Sequence, residues 1–218
     1  MKRGTILHIQ KVAGISGSEA HLLSLLPELR ARDWDVRLLM LHENEPGAWD
    51  FARALTERGV PLETIRLRRD VDPIAFFQLV GLLLRMRPRV VHTHLVHADA
   101  YGQMAGLLAG VPLRVSTKHG FNEFRESRFF AVADRSVAQL AHVHIAISHG
   151  LASYLAQTEG FADVLPPRDR AQRRALLSLG FLPGPLSVDF IARPLAEDVT
   201  ISHDPADWHV ALGDTDFF

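Results

Sequence analysis

Three histidines and a carboxylate follow a short apolar run in Arg89-Val90-Val91-His92-Thr93-His94-Leu95-Val96-His97-Ala98-Asp99. The run has the composition of a buried strand in a parallel sheet, and the carboxyl ends of such strands are where open α/β sheets place ligands. Two chemistries fit these residue types. Closely spaced neutral imidazoles can hold a zinc ion whose bound water drives hydrolysis, with His92, His94, His97 and Asp99 as ligands. Alternatively, the same side chains line a polar crevice that hydrogen-bonds a sugar. Strand alternation puts His92 and His94 on one face and leaves His97 and Asp99 to the next turn or helix.

Three further segments carry candidate groups. In Ala13-Gly14-Ile15-Ser16-Gly17-Ser18-Glu19, the glycines Gly14 and Gly17 let backbone pass close to a ligand, and the helix that follows offers free N–H groups to a phosphate. Ser18 is the expected N-cap there. The spacing is not the G-x-G-x-x-G of dinucleotide sites. Ser116-Thr117-Lys118-His119-Gly120-Phe121-Asn122 leaves another strand, and His119 can both donate and accept hydrogen bonds in a crevice. Arg125 and Arg128 follow and can clamp an anion. In Ile145-Ala146-Ile147-Ser148-His149-Gly150, Ser148 is expected to cap a helix first and touch ligand second. No G-x-S-x-G elbow and no Walker-type G-K-[ST] occurs.

These segments share a position because of the elements around them. Strands are predicted at 5–9, 36–41, 62–67, 90–93, 113–117 and 143–147. Helices are predicted at 18–32, 49–58, 73–86, 98–109, 129–140 and 148–158. Such alternation argues for an α/β fold, a Rossmann-like doubly wound parallel sheet flanked by helices. Right-handed crossovers then gather every strand-to-helix turn along one edge. Leu22, Leu23, Leu26 and Leu29 form the apolar stripe of the first helix, which Pro27 is expected to bend. Residues 1–160 form this domain; residues 161–218 read as a linker, the remnant of a second domain and an irregular acidic tail. From Glu197 onward there are five aspartates and no Lys or Arg.

Composition excludes several classes. A net charge of −1 supplies no basic field for nucleic acid. The absence of cysteine removes disulfides, thiolate zinc sites and a cysteine nucleophile. The apolar stretch 76–84 is too short to span a membrane and is interrupted by Gln78. The N-terminal apolar region is too short for a signal peptide, so the expected location is cytoplasmic. Arginines outnumber lysines 21 to 3, which suits phosphate recognition and leaves room for peripheral membrane contact.

Taken in order, the segments 6–23, 30–36, 90–94 (V-V-H-T-H), 106–112 (G-L-L-A-G-V-P), 116–120 (S-T-K-H-G) and 145–148 (I-A-I-S) resemble a known family. The chain is similar over residues 4–160 to the N-terminal half of retaining family-4 glycosyltransferases, which have two facing Rossmann-like domains, the GT-B architecture. The resemblance implies a domain that holds the acceptor (a glycan, a lipid-linked sugar or a small molecule) and approaches the donor's phosphates. A sugar nucleotide is then the donor substrate and no cofactor is required. It implies His119 and His94 as the catalytic candidates, His119 lying near the transferred sugar. Gly14, Gly17, Ser18, Ser148, Arg125 and Arg128 become the donor- and anion-binding candidates.

The chain departs from that family after residue 160. Leu186-Ser187-Val188-Asp189-Phe190-Ile191-Ala192-Arg193 resembles the first strand of the donor domain, and no E-x7-E segment follows. The resemblance therefore implies little or no transferase turnover by this polypeptide alone, for want of groups that stabilise a leaving diphosphate. H-x-H-x-x-H-x-D also resembles the H-x-H-x-D-H of metallo-β-lactamase-type hydrolases. Val96 stands where that motif has the second metal's carboxylate, leaving Asp99 as substitute, and zinc is implied only under this alternative. A third alternative is a non-catalytic module that self-associates through an open cleft.

Overall fold

The computed structural model describes residues 4–119, 137, 139–155, 164–165, 199–201 and 210–212. Nine strands and five helices follow in the order β1 (Ile6–Lys11), α1 (Gly17–Ala31), β2 (Val36–His42), α2 (Pro46–Glu57), β3 (Leu62–Arg66), α3 (Pro73–Met86), β4 (Val90–His94), α4 (Leu95–Leu108), β5 (Leu113–Lys118), β6 (Val143–Ala146), α5 (His149–Tyr154), β7 (Val164–Leu165), β8 (Val199–Ile201) and β9 (Val210–Leu212). Strands β1 to β7 form one sheet in the order β3-β2-β1-β4-β5-β6-β7, every pair parallel. The order reverses between β1 and β4. That reversal is the topological switch point, where an open α/β sheet leaves a crevice beyond its strand ends.

Alternation along the strands divides the interior into two layers. Val36, Leu38 and Met40 of β2 meet Leu22 and Leu26 of α1 and Phe51 and Leu55 of α2. On the opposite face Leu7, Ile9, Leu39, Leu41 and Val91 meet Ala75, Leu79 and Leu83 of α3 and Ala98, Tyr101 and Ala105 of α4. Both faces are covered, which is why β2 carries the apolar run Leu38-Leu39-Met40-Leu41 on both sides of the strand. Punctuation sets the helix ends. Asp72 caps α3 by accepting from the N–H groups of Ile74 (2.9 Å) and Ala75 (3.1 Å), and Pro73 supplies the first helical φ. Gly110 adopts φ +67 after α4, and its N–H bonds Leu107 O at 3.1 Å.

The doubly wound parallel sheet matches the expectation from sequence, with differences at particular points. Helix α1 starts one residue early, and Ser16 rather than Ser18 takes the N-cap position. Glu19 reaches back to the Ser16 N–H at 3.1 Å and also accepts from the Ser16 hydroxyl, the reciprocal half of a capping box. The helix runs unbroken through Pro27. Helix α4 starts at Leu95, three residues before the predicted start. Strand β7 continues the sheet beyond residue 160, and within the acidic tail β8 and β9 pair antiparallel. The predicted helix 129–140 and the segment 186–193 fall largely or wholly outside the described residues.

Candidate functional site

Strands β1 and β4 hold the site because they flank the switch point. In register, His8 pairs with His92 and Gln10 with His94. All four side chains lie on the α1 side, where the Gln10 amide donates to Ser18 Oγ at 3.0 Å and to the Glu19 carboxylate. His8 Nδ1 and His94 Nε2 are 2.9 Å apart, and His94 Nδ1 and His119 Nε2 are 3.0 Å apart. His92 Nε2 meets the Thr117 hydroxyl at 2.7 Å. His21 of α1 sets its ring edgewise to His119 at 5.7 Å between centroids. The result is a hydrogen-bonded row, His8–His94–His119, running from the sheet interior to half-buried His119 just beyond β5.

Burial governs the protonation of this row. Desolvation pushes His8 down to about 3, with the nearby His21 adding to the effect. It takes His119 down to about 4, an effect reinforced by His21 and opposed by the Glu19 carboxylate. His92 and His94 are held well below the usual imidazole range, first by desolvation and then by neighbouring histidines. The array is neutral at pH 7, so each ring offers one N–H donor and one lone pair. It can orient polar ligand groups without carrying charge. Three of its rings can also hold a metal: one nitrogen each from His8, His92 and His94 lie within 4.8 Å of one another.

The zinc set read from sequence is not assembled. His92 and His94 converge with His8, whereas His97 lies outward, 3.7 Å from Asp70. Asp99 is fully buried on the opposite face, accepting from Thr93, from Ser116 Oγ at 3.0 Å and from Lys118. The cause is the corner after His94. Leu95 takes φ +69 and α4 begins there, so the chain leaves the strand before His97 can reach the His92–His94 face.

Other candidates are placed as follows. Gly14 in the β1–α1 loop and Gly17 at the first position of α1 have open space where a side chain would be, which keeps their backbone approachable. Beneath the loop, a Cβ on Gly47 would lie 2.8 Å from Ala13 O and 2.9 Å from Gly14 Cα. Gly47 therefore lets α2 support the loop, a role its place in Glu45-Pro46-Gly47 did not signal. Ser18 points inward to Gln10 instead of capping the helix. Ser148 caps α5, accepting from Leu151 N–H at 3.1 Å. Arg125 and Arg128 lie outside the described residues. His8 and His21 were not anticipated; the alternation of His8 and Gln10 within Ile6-Leu7-His8-Ile9-Gln10 was the available signal.

This combination, a crevice at the switch point of a parallel sheet with polar strand ends and a glycine loop beneath a helix N-terminus, defines a Rossmann-like α/β domain. Residues 16–170 match the Glycosyl transferase 4-like domain, and the chain belongs to that family. No curated protein shows significant sequence similarity to it. Among solved structures it is similar to Anabaena Alr3699/HepE in complex with UDP and glucose (TM-score 0.60, 16% identity, 82% of this chain and 50% of that one). It is also similar to the lipopolysaccharide outer core galactosyltransferase WaaB (0.58, 15%, 76% and 45%). A third is a UDP-GlcNAc 2-epimerase from Neisseria meningitidis bound to UDP-GlcNAc (0.56, 9%, 82% and 54%). The chain spans about half the length of each. At these identities the likeness establishes the fold, and the epimerase among the three illustrates that the fold hosts more than one reaction. No helix among the described residues is long and apolar enough to cross a membrane.

Proposed function

We propose that this domain forms the acceptor-side wall of a glycosyltransferase cleft, with half-buried His119 facing the sugar undergoing transfer and fully buried His94 holding the His119 ring from behind. The observation that carries this reading is the neutral His94–His119 pair at the switch point, in a chain of the glycosyl transferase 4-like family. A neutral imidazole can hydrogen-bond a sugar hydroxyl or the bridging oxygen of a donor without trapping the diphosphate as an ion pair. Gly14 and Gly17 let the β1–α1 loop approach the donor's phosphates, Ser148 lies at the same edge, and Arg125 and Arg128 supply charge for an anionic acceptor or donor group. The donor is a sugar nucleotide, in keeping with the UDP and glucose named for the HepE structure. The reaction belongs to the cytoplasmic side of the cell, where sugar nucleotides are made.

Turnover needs a second domain opposite this one. A leaving diphosphate requires donors and cations placed around it, and a closed cleft must exclude water. This domain taken without an opposing one is therefore expected to bind UDP-glucose weakly. Calorimetric titration with UDP-glucose tests the assignment. Binding that falls at least about tenfold in His119→Ala supports it, and unchanged binding counts against it.

The clustering of His8, His92 and His94 favours a second reading, in which the array holds a borderline divalent ion such as zinc, as imidazole-rich sites do. His119 and Thr117 would then act as outer partners that fix the ligating tautomers of His94 and His92. Elemental analysis of protein purified without a histidine tag separates the readings. Metal below about a tenth of an equivalent removes the second.

A further inference from the structure

The outer face of α3 and α4 is at odds with its position. Both helices pack on the same side of the sheet through Ala75, Leu79, Leu83, Ala98, Tyr101 and Ala105, so their remaining faces turn outward together. In an ordinary soluble domain that surface is polar. Here, of the ten large apolar side chains exposed among the described residues, Ile74, Phe77 and Leu84 belong to α3, Met104, Leu107 and Leu108 to α4, and Val71 to the turn before α3. Phe77 is 68% exposed and Leu108 64%. On a helix of about 100° per residue, Ile74, Phe77 and Leu84 fall within about 80° of one another, a continuous apolar strip.

The charges around the strip say what would cover it. Helix α3 contains no acidic residue, and the single carboxylate of α4, Asp99, is fully buried. Exposed arginines bracket α3 at both ends: Arg66, Arg68 and Arg69 before it, and Arg85, Arg87 and Arg89 at its close and beyond. The one exposed carboxylate between Arg66 and Arg89 is Asp70, which lies 3.7 Å from both Lys11 and His97. Apolar side chains along a helix, flanked by guanidinium groups with long aliphatic stems, suit a surface that is oily at depth and anionic at its rim.

We propose that the α3–α4 face seats on an anionic lipid bilayer. Ile74, Phe77, Leu84 and Leu108 enter the headgroup boundary, and the bracketing arginines contact lipid phosphates. The domain then lies on the membrane without crossing it. The proposal is independent of the transferase reading, because it uses the side of the domain and not the switch-point crevice.

Flotation of the full chain with vesicles tests it. The expected result is co-flotation with phosphatidylcholine vesicles containing phosphatidylglycerol, and at least about tenfold less with phosphatidylcholine alone. The bound fraction falls to background in Phe77→Glu and Leu84→Glu, and it weakens with added salt and in the combined Arg85→Ala, Arg87→Ala, Arg89→Ala variant. Because the chain has no cysteine, Leu84→Cys carrying a polarity-sensitive dye gives a second readout in an otherwise unaltered fold. Its emission should shift to the blue on anionic vesicles and stay unchanged on neutral ones. Absence of both flotation and dye shift overturns the proposal, as does flotation that survives Phe77→Glu and Leu84→Glu. A light-scattering dimer that Phe77→Glu dissolves, with no vesicle binding, also overturns it and makes the face an interface between copies.

Discussion

Successive residues of β4 serve two polar networks on opposite sides of the sheet, built on opposite principles. On the α1 side, His94 joins the row of neutral rings that ends at half-buried His119, and His92 stacks against His94. On the α3–α4 side, Thr93 joins Asp99, Gln103, Ser116 and Lys118 in a sealed network around an ion pair. Asp99 and Lys118 are exposed to 0% and 2%, and Gln103 donates to Thr93 Oγ1 at 2.6 Å and to Val115 O at 3.0 Å. A buried charge persists only when paired and hydrogen-bonded, so that side resists change. The imidazole row, being uncharged, can exchange partners at low cost. The sealed side fixes the corner between β4, α4 and β5, and the uncharged side is open at one end, where His119 is half-buried.

Breaking the sealed side should have the largest effect. Asp99→Asn leaves Lys118 buried without its counter-charge and should cost about 3–5 kcal/mol in denaturant unfolding. Adding Lys118→Met should recover much of that loss, and a double variant as unstable as the single one would show that the pair is not the cause. Acid should act next, through the open side. His8 and His119 have native values of about 3 and about 4 against an unfolded value near 6.5. The unfolded chain therefore binds more protons in that window, and stability falls as pH drops from about 6.5 toward 3. Melting temperatures across this range should decline, with a smaller decline in His8→Gln.

Smaller effects sharpen the contrast. His119→Ala removes a half-buried ring at the end of the row and should cost no more than about 1 kcal/mol of stability while weakening ligand binding. An equally large loss in both would make His119 part of the scaffold. Leu95→Gly relieves a left-handed backbone at a branched residue and should stabilise the fold by up to about 1 kcal/mol. A lower melting temperature in that variant would mean that the Leu95 side chain contributes more by packing than its φ of +69 costs.

Local patterns made much of the fold legible. Asp72-Pro73 and the apolar period fixed both ends of α3 at Pro73 and Met86, and the run at Val90 announced β4. Alternation and crossover handedness gave the doubly wound parallel sheet and the common edge of its strand-to-helix turns, but not the strand order, which depends on long-range pairing. Strand β7 was missed because two residues carry no period. The site was legible in part: His94 and His119 were placed at strand ends by the same reasoning that placed the strands. Their partner His8 was not, because its contact with His94 spans 86 residues of sequence. Nor could spacing reveal that Leu95 turns the chain so sharply that Asp99 and His94 end on opposite faces. Ser16 and Ser18 competed for one cap, and the outcome depended on Gln10, a tertiary neighbour.

The pairing of His8 with His92 has a consequence for how the chain folds correctly. A slip of β1 by one residue would turn His8 and Gln10 into the oily layer under α3 and α4 and push Leu7 and Ile9 toward the imidazoles. Each misplaced polar group would then lack a partner in a place where none can be found. The rings that equip the crevice also act as a proofreading mark, because they come together only when the two central strands are aligned.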